Sequence, residues 1–164
     1  MELMVSVTLF AITILVTTQI FQTVLEGQRQ AVASQDMQES IRYTFERVGK
    51  EIRTAIKDET GICNGAPGKI YRVIGGQEII FLNYKGECIR YFMNNDRLAI
   101  QRGIEAFQYI TPSNIVISRV LFQLTDNSDY VQAKVLMRLQ MEISVKNGKQ
   151  KLNVQTVLSS RYYE

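Results

Sequence analysis

Residues 3–25 read LMVSVTLFAITILVTTQIFQTVL, a run of 23 residues that contains no charge, no glycine and no proline. As an α-helix this run would measure about 34 Å, which is enough to cross a bilayer core of about 30 Å. A cleavable secretory signal would carry basic residues before the run and small residues after it, and the sequence has neither. A buried core helix is rarely apolar on every face over this length in so small a domain. The run therefore predicts one membrane-spanning helix.

The composition limits what the remainder of the chain does. A length of 164 residues indicates one domain with an appendage, and a net charge of +3 neither requires nor excludes an anionic partner. The chain has no histidine, which removes the commonest general base and metal ligand. Two cysteines alone cannot build a structural zinc site, but they can form one disulfide. We therefore expect no enzyme, no cofactor and no metal site.

The helical pattern continues beyond the apolar run. Apolar residues recur at spacings of three and four, as on an amphipathic helix, at Met37, Ile41, Phe45, Val48, Ile52 and Ile56. Glycines and a proline cluster at residues 61–68, so the helix is predicted to end near Asp58. The chain thus divides into a membrane half of the helix at 1–25, an amphipathic half at 26–58 and a β-rich extracytoplasmic domain at 59–164.

The second half of the chain reads as an antiparallel sheet. Runs rich in β-branched and aromatic residues, separated by turn residues, predict strands at 69–74, 78–84, 88–94, 97–102 and 115–124. Alternating apolar residues at 135–145 and 152–158 flank Asn147 and Gly148, and an Asn-Gly pair between such runs is the strongest short-range hairpin signal. With these two residues as the loop, Ile143 would face Leu152, and the apolar face of the hairpin would pack on the helix stripe. The predicted fold class is α+β, a long N-terminal helix packed on an antiparallel sheet.

Two polar features have alternative interpretations. Lysines and arginines on the C-terminal hairpin are compatible with nucleic-acid binding, but a solvated sheet face is the favoured interpretation and nucleic acid is not a predicted partner. The run Asp126, Asn127, Ser128 and Asp129 has oxygen ligands suited to calcium. It lacks full EF-hand spacing, so a plain turn is favoured there.

Residues 1–6, MELMVS, followed by the apolar run, resemble the N-terminal segment of type IV pilins and type II secretion pseudopilins. In that family a short basic leader ends in glycine and a glutamate follows shortly after it, and Glu2 matches that glutamate. The leader and the first mature residues do not stand in this sequence, so we expect Met1 to be a late start or a trimmed end. The long two-part helix and the β domain extend the likeness, which is greatest to minor pilins and J-type minor pseudopilins.

The resemblance implies a structural subunit of a type IV pilus, type II secretion or DNA-uptake filament. Its implied partners are other pilin or pseudopilin subunits, through the N-terminal helix, and the prepilin peptidase. Glu2 would be an intramembrane carboxylate that pairs with the N-terminal amine of an adjacent subunit. The implied location is the inner or cytoplasmic membrane, crossed once, with the C-terminal domain outside the cytoplasm. The alternative is a membrane-anchored binding or sensor domain unrelated to filaments.

The two cysteines are predicted to pair. An extracytoplasmic domain with an even cysteine count favours a disulfide between Cys63 and Cys88, whereas two buried free thiols are the alternative. Such a bond would contribute about 3–4 kcal/mol in the chain-entropy account.

Overall fold

The structure is a computed structural model, and it describes residues 2–125, 132–145 and 148–161. One helix, α1 (Glu2–Arg53), precedes eight strands: β1 (Tyr71–Ile74), β2 (Glu78–Leu82), β3 (Cys88–Asn94), β4 (Arg97–Arg102), β5 (Gln108–Tyr109), β6 (Ile115–Thr125), β7 (Lys134–Val145) and β8 (Gly148–Ser159). The fold is α+β, as predicted: one long N-terminal helix is followed in the chain by two antiparallel sheets.

The strands form two separate sheets. The first five follow each other in the order β1-β2-β3-β4-β5, and the last three follow in the order β6-β7-β8. Every neighbouring pair is antiparallel. The short strand β5 was not predicted, because two residues are too few to show an alternating pattern.

One core joins the amphipathic part of α1 to both sheets. From the helix it takes Met37, Ile41, Val48 and Ile52, all buried, and Phe45 packs against it half-buried. The inward residues of β7 are all buried opposite this face, from Val135 to Ile143. Helix stripe and hairpin face therefore pack together, as the two periodicities predicted.

Two predicted details are wrong. The helix ends at Arg53, because Ile56 leaves the helical path and donates its backbone N–H to Leu82 O at 2.9 Å. In the C-terminal hairpin Ile143 pairs with Gln150 and Val145 with Gly148, so the ladder is shifted by two residues from the prediction. A shift of two returns every side chain to the same face, so the alternating pattern could not distinguish the two registers.

Candidate assembly surface

Most of the exposed large apolar side chains in the described chain lie in the N-terminal part of α1. Residues 2–24 are exposed, and the most apolar window of the helix has a mean hydropathy of 2.0 with none of its residues buried. Leu3 and Met4 are each 79% exposed and Phe10 is 67% exposed. By length and composition this segment could span a membrane, with the β domain following it.

Hydroxyl groups within this segment bond to the helix itself. Each of them donates to a backbone carbonyl three or four residues earlier, at 2.7–2.9 Å: Ser6, Thr8, Thr13, Thr17, Thr18 and Thr23. A hydroxyl satisfied in this way adds little cost when the surroundings are hydrocarbon or another apolar helix. The segment is therefore suited to a water-free environment despite its six hydroxyls.

Glu2 lies in the first turn of α1, and its side chain is exposed. A carboxylate at this end of a helix interacts favourably with the helix dipole. Within the part of the chain that the structure describes, no cationic side chain pairs with it. Its carboxylate is thus available to a positive group outside the described chain.

The exposed segment meets the β domain at Leu25, the first half-buried residue of α1. Here a shallow cavity of about 450 Å³ lies between the helix and Ile143, with Val32, Ala33 and Asp36 on its wall. From Leu25 to Ile52, exposed residues of α1 are interspersed with buried and half-buried ones. Because α1 continues without interruption through this junction, the apolar segment projects from the domain as a direct extension of a core helix.

The predicted cysteine pair lies at the other end of α1. Cys63 and Cys88 form a disulfide with Cα atoms 5.5 Å apart, joining the loop after the helix to β3. Glu2 and this disulfide are at opposite ends of a helix that rises about 77 Å over its 52 residues. The structure therefore brings Cys63 and Cys88 together, as predicted, and places Glu2 far from both.

Beside the disulfide, a buried carboxylate organises the same loop. Asp58, 1% exposed, accepts the backbone N–H groups of Gly61 at 2.9 Å, Cys63 at 2.9 Å and Asn64 at 2.8 Å, and the Thr60 hydroxyl at 3.0 Å. Burial alone would raise the pKa of Asp58, but the hydrogen bonds outweigh it and hold the pKa below its ordinary value. The sequence analysis missed this role, although an Asp shortly before Thr60 and Gly61 is a known turn pattern.

A second polar cluster fixes the last turn of α1 to the five-stranded sheet. Glu51 pairs with Arg102 at 2.5 Å and accepts the Tyr91 hydroxyl at 2.9 Å. Burial, then the charge of Glu51 and its hydrogen bond, raise the pKa of Tyr91, so this phenol stays protonated and donates. For Arg102 burial works in the opposite direction, but the hydrogen bond and the charge of Glu51 prevail and the pKa is raised.

Among residues 2–125, 132–145 and 148–161, no group of three metal-binding side chains comes together. The segment from Asp126 to Asp129, considered for calcium, lies outside the described residues, as does Asn147 of the predicted turn.

A scan of protein-family models, a search of curated proteins and a search of solved structures gave no match to this chain.

Proposed function

We propose that this chain is a structural subunit that assembles through its N-terminal helix, as a minor pilin or minor pseudopilin of a type IV pilus, type II secretion or DNA-uptake filament. One observation carries the proposal: residues 2–24 are all exposed, while the same unbroken helix continues into the core of the domain. Such an apolar surface needs lipid or other apolar helices around it. A subunit that passes from membrane to filament encounters both.

The proposal also assigns a location and partners. The apolar segment crosses the inner or cytoplasmic membrane once, and the β domain lies outside the cytoplasm. The disulfide supports this orientation, because such bonds form and persist in oxidising compartments. The partners are other pilin-like subunits that pack against residues 2–24, and the prepilin peptidase that processes a leader. The role is structural and not catalytic.

Glu2 has a defined part in this scheme. The resemblance implies that its carboxylate pairs with the N-terminal amine of an adjacent subunit as the helix enters the filament. Apolar side chains would surround that pair, and removing one member of a desolvated pair leaves the other charge uncompensated, at a cost of about 3–5 kcal/mol. We expect the effect on assembly alone and no change in the folding of the β domain, because Glu2 is exposed and Ala33 is the first residue of α1 that packs on the described core.

The test is Glu2→Ala in the full-length gene. We expect normal folding and membrane insertion but reduced incorporation into filaments, measured by co-purification of the variant with assembled filaments or partner minor subunits. Glu39→Ala is the matched control, because Glu39 is an exposed carboxylate of the same helix outside the apolar run. Normal recovery of Glu2→Ala together with full pilus or secretion activity would remove Glu2 from assembly. A membrane-anchored domain unrelated to filaments would then be the better interpretation.

A further inference from the structure

The two edges of the three-stranded sheet differ. On the outer edge of β6, Ile117 donates its N–H to Asp96 O and Phe122 donates to Gly76 O, both at 2.7 Å. Turns of the five-stranded sheet thus cover that edge. On the outer edge of β8, the described residues supply no backbone partner along the whole strand. One edge is closed within the molecule and the other is open.

The register shows which groups of β8 point outward. Ser160 donates its N–H to Ala133 O at 3.2 Å, which continues the β7–β8 ladder one pair beyond Lys134 and Ser159. In an antiparallel ladder the bonding direction alternates with every residue, so the even-numbered residues of β8 bond to β7. The N–H and C=O groups of Asn153, Gln155 and Val157 therefore face away from the sheet.

This edge lacks the usual protection against strand pairing. Residues 152–159, LNVQTVLS, contain no charge, no proline and no glycine, and the β7–β8 register runs without a bulge. Natural edge strands are commonly protected by a charged side chain, a proline or a bulge. The charged residues of β8 itself, Lys149 and Lys151, lie at its first residues and are held by Glu142 at 3.7 and 3.1 Å.

A cleft of about 380 Å³ lies beside the open edge, on the side of the sheet that faces α1. Apolar or small residues form much of its wall: Phe45 and Gly49 from α1, and Thr156 and Leu158 from β8. Gly49 brings helix and strand close together, since a Cβ there would lie 3.3 Å from Leu158 Cδ2. No residue of β7 in the described chain lines the cleft, so it opens outward past β8.

The rim of the cleft is positively charged. Lys50, Arg53 and Arg161 line it, and none of the three makes an ion pair with a described acidic residue. Glu46 also lies on the rim, but it is bonded to Arg42 at 2.9 Å. Uncompensated cations around an apolar pocket recognise an anionic group next to an apolar one.

We propose that the outer edge of β8 is a docking site for an extended segment of a partner protein, which adds to the sheet as a fourth strand. The segment runs antiparallel to β8, places an apolar side chain in the cleft and carries acidic residues at the end beside Arg161. Backbone hydrogen bonds to residues 153, 155 and 157 provide affinity, and the cleft with its cationic rim provides specificity. This site is separate from residues 2–24 and does not rest on the function proposed for them.

A second copy of this chain is the poorer occupant because of charge. Antiparallel pairing of two β8 strands would bring Lys149 and Lys151 of one copy beside Lys50, Arg53 and Arg161 of the other. These are all cations, and like charges brought together oppose association. An acidic partner segment removes this repulsion and satisfies the rim.

The test uses the full chain in mild detergent and a fluorescent synthetic nonapeptide. The peptide begins with two glutamates and a leucine and continues as alternating threonine and valine. We expect saturable binding by fluorescence anisotropy, and slower amide hydrogen exchange in residues 152–159 when the peptide is bound. Asn153→Pro removes an outward N–H without touching the β7 ladder and should weaken binding at least tenfold. Asn153→Ser keeps that N–H and should bind as the wild type does.

A second variant tests the rim without altering the strand. Lys50→Glu combined with Arg161→Glu should also weaken peptide binding at least tenfold, whereas Lys85→Glu, a cation of a neighbouring cleft, should not. The proposal is overturned if the peptide does not bind saturably, or if Asn153→Pro and the rim variant both bind it as the wild type does. Self-association of the chain that Asn153→Pro abolishes would assign the edge to a second copy and overturn the acidic partner.

Discussion

Replacing Asp58 by Asn tests whether one buried carboxylate holds the loop that follows the helix. The carboxylate accepts four hydrogen bonds, two on each oxygen: Gly61 N–H and the Thr60 hydroxyl on Oδ1, Cys63 N–H and Asn64 N–H on Oδ2. Asn has nearly the same shape but only one acceptor oxygen. Its NH₂ group then takes the Oδ1 side, where the Thr60 hydroxyl can turn to accept from it. Gly61 N–H loses its acceptor there, and Cys63 N–H and Asn64 N–H keep a neutral acceptor in place of a charged one.

The size of the effect follows from these contacts. An unsatisfied buried donor costs about 1–3 kcal/mol, and bonds to a charged acceptor are stronger than neutral ones. One orphaned backbone donor, together with the loss of the charged acceptor for the remaining bonds, should therefore reduce the free energy of unfolding by about 2–4 kcal/mol at neutral pH. That is a large share of the 5–15 kcal/mol that typically stabilises a domain.

The pH dependence gives an independent check. In the folded chain the pKa of Asp58 is below its ordinary value of 3.8. Its ionised form therefore makes its full contribution to the free energy of unfolding at pH values above 3.8. The contribution is lost as the pH falls through the lower folded pKa. We therefore expect the stability difference between wild type and Asp58→Asn to be largest near neutral pH and to narrow below about pH 4.

The assay is urea denaturation of the full chain in mild detergent at several pH values. The chain has eight tyrosines and no tryptophan. Among the tyrosines that the structure describes, Tyr71 and Tyr91 are buried, so tyrosine fluorescence reports unfolding. Glu59→Gln is the control, because Glu59 is an exposed neighbouring carboxylate and should change stability by less than about 0.5 kcal/mol. An Asp58→Asn variant as stable as the control, or a difference that does not change with pH, would refute the assigned role.

Two further predictions concern the core and the disulfide. Ile143→Ala, 6% exposed in the wild type, should cost about 2–5 kcal/mol in urea denaturation, whereas Val116→Ala, on the exposed face of β6, should cost less than about 0.5 kcal/mol; equal losses would contradict the assigned core. Replacing both Cys63 and Cys88 by Ser should cost about 3–4 kcal/mol, because the bond closes a loop of 25 residues. Wild-type stability that a reducing agent does not change would contradict this second prediction.

Patterns of local spacing predicted most of the fold. The apolar run and the stripe that begins at Met37 predicted one continuous helix, and alternating residues located β3 and β4 with the observed bounds. Local spacing cannot distinguish two strand registers that place the same side chains on the same face of the sheet. The hairpin register is such a case, because pairing Ile143 with Gln150 or with Leu152 buries the same apolar residues.

The candidate site was predictable only in part. Glu2 is identifiable from its position at the start of an uncharged run, and the cysteines from their number. The open edge of β8 and its cleft are not, because they depend on the strand order β6-β7-β8, which leaves β8 on the outside, and on turns of the other sheet that cover only β6. The cationic rim joins Lys50 and Arg53 to Arg161, which are more than 100 residues apart in sequence, so only tertiary packing brings them together.

The polar bonds between α1 and the sheets are concentrated at its C-terminal end. Glu51 bonds to Arg102, Ile52 O accepts the Tyr71 hydroxyl at 2.6 Å, and Arg53 O accepts the N–H of Arg161 at 2.8 Å. A few residues on, the chain pairs with the first sheet at Ile56. Residues 2–24 have no such attachments, so the helix is anchored at one end and exposed at the other. Any packing of the exposed segment against lipid or other helices therefore acts on the β domain through one continuous helix, and its local environment can change without altering the core.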